Sequence, residues 1–164
     1  MPPEETVTQT CTCLMICGGL TLLGAGEPAK PFQQTPDEIK LVELTNQERK
    51  KLDLAPLKLS PALTKIARGH SENMARQAKM EHVLDKKGPF DRLRDAGYKY
   101  IKAGENIASG QGVTLATIMK AWMDSKEHRA NILLPDYTEI GLGIARDKTG
   151  QLYFTQVFAK PRTK

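Results

Sequence analysis

A chain of 164 residues has the length of one globular domain, and folding at this size buries enough surface for a core without disulfide bonds. With 40% hydrophobic and 26% charged residues, the composition excludes a fibrous or an intrinsically disordered protein. The formal net charge of +5 favours anionic partners, such as wall glycans or phospholipid surfaces, through long-range attraction. Nucleic acid is not expected, because aromatic residues make up only 5% of the chain and no alternation of basic with aromatic residues stands out.

The first 26 residues predict a secretory signal peptide, and hence a secreted protein in the extracellular space or the periplasm. Residues 11–26 form an apolar run without charges that is too short to span a bilayer and ends in Gly-Ala-Gly, as export cleavage sites do. The preceding MPPEET lacks the usual basic residue, so a misassigned start and a buried N-terminal segment of a cytosolic protein are alternatives. All three cysteines lie in this run, so the mature chain would contain none, would carry a formal net charge of +7 and would have no transmembrane helix.

A Pro-rich polar segment, residues 27–36, follows and predicts a linker to one domain over residues 37–160. Thr35 precedes Pro36, and Glu38 is the third helical residue, which is typical of a capping box. This pattern predicts a helix over residues 36–51, with Ile39, Val42 and Leu44 among its apolar positions.

Three further stretches predict helices. A Ser-Pro start signal at residues 60–61 and apolar residues at helical spacing predict a helix to about residue 79, with His70 on its apolar stripe. Apolar residues at i, i+3, i+4 and i+7 predict another helix from Leu115 to Trp122. Shorter helices are expected over residues 91–96 and within residues 125–133.

The C-terminal stretch predicts a β-hairpin. Apolar residues alternate over residues 140–144, DKTG supplies a turn at residues 147–150, and a second strand returns over residues 151–159. Helices first and a hairpin last predict an α+β layered domain rather than a doubly wound one.

Five segments, taken in order, resemble the pattern of bacterial members of the CAP family (cysteine-rich secretory proteins, antigen 5, pathogenesis-related proteins). They are LTNQERKKLDLAPLKLSPAL with ARGHSENMA, then MEHV, GENIASG, AWMDSKEHRANIL and TEIGLGIARDKTGQLYFTQVFA. They extend over residues 39–159, nearly the whole mature chain. The resemblance implies an α+β three-layer α-β-α sandwich with a central antiparallel sheet, which agrees with the predicted helices and hairpin.

The resemblance also implies a cleft lined by two His and two Glu side chains, a tetrad that binds a divalent cation in several members of the family. His82 in MEHV and Glu105 in GEN match half of this tetrad. The chain departs from the other half, because Ser125 stands where the family often has Glu and Tyr153 where it has the second His. His128 follows nearby, so we expect a substituted cleft of His82, Glu105, His128 and Tyr153.

Imidazole and carboxylate groups suit zinc and similar cations, which need three or four deprotonated ligands. The sequence has no local metal motif, such as two His four residues apart on a helix with an adjacent Glu. The candidate ligands His82, Glu105 and His128 therefore predict an open or water-completed site for zinc or calcium rather than a tight structural one. No cofactor is required.

The remaining candidate residues have more than one interpretation. His70 is either a core histidine that is hydrogen-bonded to the backbone or a side chain, or a residue beside the cleft. His128 is expected in the first turn of its helix, where the positive helix end favours a neutral, ligating imidazole. Tyr153 shares strand parity with Thr155 and Val157, so we expect all three on one side of the sheet.

Three functions are compatible with these residues. The first is a secreted binding module whose cleft holds a divalent cation, a small amphipathic ligand such as a lipid or sterol, a polymer segment such as a cell-wall glycan, or a protein. The second is a metal-assisted hydrolase of peptide or wall material, with Ser125 as a formal nucleophile, although no Gly-x-Ser-x-Gly elbow surrounds this residue. The third is a structural wall- or surface-associated protein that binds through its charge. A monomer is expected.

Overall fold

The computed structural model of the protein describes residues 32–162. In this range the helices are α1 Pro36–Lys50, α2 Pro61–Gln77, α3 Pro89–Asp95, α4 Leu115–Asp124 and α5 Lys126–Ile132. The strands are β1 Lys58–Leu59, β2 Tyr100–Gly110, β3 Glu139–Arg146 and β4 Leu152–Pro161. All the predicted helices and the C-terminal hairpin are confirmed, whereas β1 and β2 were not predicted. The signal-peptide prediction and most of the predicted linker lie outside the described residues.

The capping box at the start of α1 is confirmed. The Thr35 backbone N–H donates to the Glu38 carboxylate at 2.8 Å, and the Glu38 N–H donates to the Thr35 hydroxyl at 3.2 Å. Of the expected apolar positions, Val42 is buried and Leu44 is partly buried, whereas Ile39 is 42% exposed. Leu41 and Thr45 complete the buried face.

The strand order in the sheet is β1-β3-β4-β2. The three long strands pair antiparallel, as expected, and the two-residue β1 adds a parallel pair with β3, so the sheet is mixed. β2 escaped prediction because its sequence, YIKAGENIASG, contains two glycines and charged residues and lacks the clear alternation of a half-buried strand.

The backbone of helix α2 lies unusually close to one face of the sheet. A Cβ added to Gly143 would lie 2.2 Å from the backbone nitrogen of Arg68, so only glycine allows this approach. Ser71 on α2 donates to the Gly143 carbonyl at 2.9 Å and shares a 2.8 Å hydrogen bond with the Thr155 hydroxyl on β4. Thr155 therefore marks the face of the sheet that α2 covers.

The opposite face packs against α1, α4 and α5. The Gln156 amide on β4 donates to the Thr45 hydroxyl on α1 at 2.9 Å. The largest apolar cluster lies on this side and includes Leu41, Trp122, Ile132, Phe154 and Phe158. Helices on both faces of the sheet confirm the predicted α+β three-layer α-β-α sandwich.

Strand β2 lies at the edge of the sheet, and side chains cover part of that edge. The Trp122 indole donates to the Ile107 carbonyl at 3.1 Å, and the Asn131 amide donates to the Glu105 carbonyl at 3.3 Å. These two carbonyls point away from β4, because alternate residues of an edge strand face outward. The hydrogen bonds fix β2, and with it Glu105, against α4 and α5.

Candidate binding site

The Glu105 carboxylate is the centre of a buried polar cluster. Only 1% of its side chain is exposed, and each oxygen has a partner. Oε1 accepts from Nδ1 of His82 at 2.8 Å, and Oε2 accepts from a guanidinium nitrogen of Arg92 at 2.6 Å. A carboxylate buried to this extent needs such partners, because an isolated charge in the interior costs several kcal/mol.

Three elements bring these side chains together. Glu105 pairs with Val157 and Ile107 pairs with Thr155, so the Glu105 side chain projects from β2 toward the α2 side of the sheet. His82 lies in the loop between α2 and α3. Arg92 on α3 also donates to the carbonyls of His82 and Lys87, both at 3.0 Å, and thereby holds this loop. Sequence reasoning missed Arg92, because nothing in its local sequence indicates that α3 packs beside the loop.

His70 lies against the same carboxylate from the α2 side. Its side chain is fully buried, and its Nε2 is 3.9 Å from Oε1 of Glu105. No hydrogen bond of normal geometry from the described residues reaches either ring nitrogen, although the Glu81 backbone lies near enough to raise the pKa of the imidazole. Burial lowers the pKa of His70 to about 4, although the Glu105 carboxylate opposes this shift. His70 is therefore a neutral core residue that also borders the cluster.

His128 lies in the first turn of α5, as expected, with Ser125 as the N-cap residue. Its pKa is lowered by partial burial and by the charge of His82, so the two imidazoles are close enough to repel when both are protonated. Asn106 on β2 positions this helix, because its amide donates to the His128 carbonyl at 3.1 Å and its oxygen accepts from Asn131 at 2.9 Å.

The other two predicted site residues have local partners. The Ser125 hydroxyl accepts from the His128 backbone N–H at 3.4 Å and donates to the Glu127 carboxylate at 3.3 Å, so it caps α5. Tyr153 is 4% exposed, packs in a separate apolar cluster with Ile107, and donates a 3.4 Å hydrogen bond to Asp147. It shares the α2 side of the sheet with Thr155, as its parity predicted, but the structure does not group it with His82 and Glu105.

The donor set determines what the cluster can bind. Within residues 32–162, no three His, Cys, Asp or Glu side chains are arranged to hold a metal ion. Both oxygens of Glu105 are already engaged, which leaves imidazole nitrogens as the available ligands. His82 is 48% exposed, and because a carboxylate can only accept, its Nδ1 carries a proton. In the neutral form of this imidazole, Nε2 holds the lone pair that a metal ion needs. In many metal sites, a histidine that binds the metal through one ring nitrogen donates its other ring N–H to a carboxylate in this way.

Known proteins are similar to this chain over most of its length and share its fold. The model of the CAP family, the cysteine-rich secretory protein family, matches residues 42–158. The protein YkwD of Bacillus subtilis (strain 168) is 43% identical over 131 residues, which are 79% of this chain and 50% of YkwD. The chain thus spans half the length of that relative.

Solved structures share the layered fold. An outer surface protein from Borrelia burgdorferi superimposes with a TM-score of 0.72 and 24% identity, over 79% of this chain and 97% of that chain. An extracellular protein from Bacillus anthracis that contains a SCP domain gives a TM-score of 0.68 and 26% identity, over 78% of this chain and 44% of that chain. No helix within residues 32–162 is long and apolar enough to cross a membrane.

Proposed function

The chain belongs to the CAP family, the cysteine-rich secretory protein family, and from this premise we propose that it is a bacterial binding module that acts outside the cytoplasm. Its ligand at the Glu105 cluster is a zinc ion held weakly by Nε2 of His82, with His128 and water completing the shell. Support for the location comes from the similarity to an extracellular bacterial protein and from the apolar run predicted to be a signal peptide.

The observation that carries this proposal is the double engagement of Glu105. Because His82 and Arg92 occupy both carboxylate oxygens, Glu105 orients His82 and is not itself a ligand. Calcium prefers six to eight oxygen ligands, and the cluster offers none that is free. Zinc accepts neutral imidazole nitrogen, and the lowered pKa of His128 keeps that side chain neutral at physiological pH. Bound there, the ion would supply a positive charge and open coordination positions for an anionic or carbonyl group.

The surroundings of the cluster favour binding over hydrolysis. A hydrolase with a serine nucleophile, such as Ser125, needs that hydroxyl within hydrogen-bond reach of a general base. The Ser125 hydroxyl is instead engaged in capping α5, and Ser71 bonds to Gly143 and Thr155 within the core. Zinc-dependent turnover of a peptide or wall substrate that disappears in both His82→Ala and Glu105→Ala would favour the hydrolase instead.

The test is a titration of the full chain with zinc chloride and, separately, calcium chloride, followed through the imidazole ¹⁵N resonances. We expect zinc to shift the signals of His82 and His128 and to leave the buried His70 unchanged, whereas calcium shifts none of them. His82→Ala should abolish the response. Tyr153→Phe, which removes only the hydroxyl that bonds to Asp147, should leave it unchanged. Wild-type zinc affinity in His82→Ala would overturn the proposal.

A further inference from the structure

A concave site lies at the start of β2, beside α3. It is a groove of about 420 Å³ between the end of α3, the start of β2 and the end of β4. This volume is at the small end of the range of roughly 300–1,000 Å³ that is usual for ligand pockets. We call it the aromatic–basic groove, and the side chains that line it are Phe90, Arg94, Tyr98, Lys99, Tyr100 and Arg162.

Backbone geometry brings these residues together. Helix α3 ends in a Schellman motif, in which Gly97 at φ +67° donates to the Arg94 carbonyl at 2.9 Å and Tyr98 donates to the Leu93 carbonyl at 3.0 Å. The turn directs the chain into β2 beside α3. At the other end, the Arg162 backbone N–H donates to the Lys99 carbonyl at 3.1 Å and brings the two cationic residues side by side.

The aromatic side of the groove is partly exposed. The rings of Phe90 and Tyr100 stack with their centroids 6.3 Å apart and their planes at 27°. Phe90 is 53% exposed, although burying such a side chain fully is worth about 1.5–3 kcal/mol. Tyr98 is fixed, because its hydroxyl donates to Glu139 at 2.8 Å, and burial raises the pKa of this phenol so that it stays neutral.

The charge of the groove has one sign. Its lining contains three cationic residues and no acid. Arg94 pairs with Asp91 at 2.7 Å, whereas Lys99 and Arg162 form no ion pair with any side chain in residues 32–162. Two cations beside an exposed ring surface favour a ligand that carries both a negative charge and a flat apolar face.

We propose that the aromatic–basic groove binds a short segment of an anionic glycan. The C–H face of one sugar ring packs on Phe90 and Tyr100, and its carboxylate or phosphate pairs with Lys99 and Arg162. The small volume favours a glycan over single-stranded nucleic acid, whose sites cover about 4–16 nucleotides along a longer groove. The expectation that no basic–aromatic alternation exists was wrong, because residues 90–102 interleave the two kinds of side chain.

The test measures binding of trigalacturonate to the full chain by calorimetry and by aromatic chemical shifts, with EDTA present so that the result is independent of the zinc proposal. Maltotriose is the neutral control of equal ring number, and an oligothymidylate represents nucleic acid. Phe90→Ala and Arg162→Ala should each weaken trigalacturonate binding by about tenfold. The matched controls Leu52→Ala and Lys148→Ala, at exposed positions outside the groove, should not change it.

Each outcome decides the proposal. It holds if trigalacturonate shifts the Phe90 and Tyr100 resonances, binds more weakly at high salt, and binds more tightly than maltotriose. It is overturned if no glycan binds, if maltotriose binds equally well, or if the two groove variants behave like the wild type. Tighter binding of oligothymidylate than of trigalacturonate would overturn it in favour of a nucleic-acid groove.

Discussion

Acidification from pH 7 to pH 4 is expected to weaken folding chiefly through His70. The pKa of this imidazole is about 4 in the folded chain, against 6.5 without burial. Between these two values the unfolded chain binds a proton that the folded chain does not, so stability falls as the pH falls below 6.5. The gap corresponds to about 3 kcal/mol, nearly all of it lost by pH 4.

The groups that face His70 act in both directions. Burial lowers its pKa, and the positive charges of Arg92 and His82 act in the same direction. The Glu105 carboxylate and the backbone of Glu81 raise it, and burial prevails. Three aspartates have lowered pKa values, and they lose their contributions to stability mainly below about pH 3.8, outside this window; they are Asp91, Asp136 and Asp147.

Urea denaturation between pH 4.5 and pH 7 measures the effect. We expect the wild type to lose most of the 3 kcal/mol over this range and His70→Gln to show a much flatter dependence. His128→Gln is the control, because His128 is only partly buried and a smaller change is expected. An unchanged slope in His70→Gln would refute the reasoning. If that variant does not fold, titration of the His70 imidazole by NMR in the wild type decides, since a pKa near 6.5 would contradict the burial argument.

Two further predictions concern packing and capping. Gly143→Ala should destabilise the fold by about 3 kcal/mol or more, because its Cβ would meet the backbone of α2. Gly69→Ala should instead stabilise the fold by about 1 kcal/mol, because the new methyl group has open space around it. Thermal unfolding of both variants checks this, and equal effects would contradict it. Ser125→Ala should cost about 1 kcal/mol through loss of the α5 cap and leave any hydrolytic activity unchanged, and loss of activity at unchanged stability would restore Ser125 as a nucleophile.

The sequence predicted those parts of the fold in which local signals and tertiary packing agree. The capping box at Thr35, the apolar stripe of α2 and the alternation in β3 all depend on residues close together in the chain. Strand β2 could not be predicted in this way. Gly104 interrupts the pattern of this strand, and only glycine fits there because a Cβ would come within 2.9 Å of the Asn131 side-chain oxygen and meet the Tyr137 hydroxyl.

The residues of the candidate site show the same difference between what local sequence indicates and what depends on tertiary packing. His82 and Glu105 were identified from a resemblance, and the structure brings them into contact. Arg92 was missed because its role depends on the packing of α3 against the loop at residues 82–87, which leaves no short-range pattern. Tyr153 was expected in the cleft only because it stands where the family has its second His. Its apolar neighbours depend on the packing of α2 against the sheet, which the local sequence does not indicate.

The hydrogen bonds from Trp122 and Asn131 to the outer edge of β2 limit how copies of the protein can associate. An unpaired strand edge is the place where sheets from different molecules join. Along residues 105–107, an approaching strand would first have to displace an indole and an amide that already satisfy the outward carbonyls. Copies of the protein packed densely therefore cannot polymerise through this stretch without losing part of their own core.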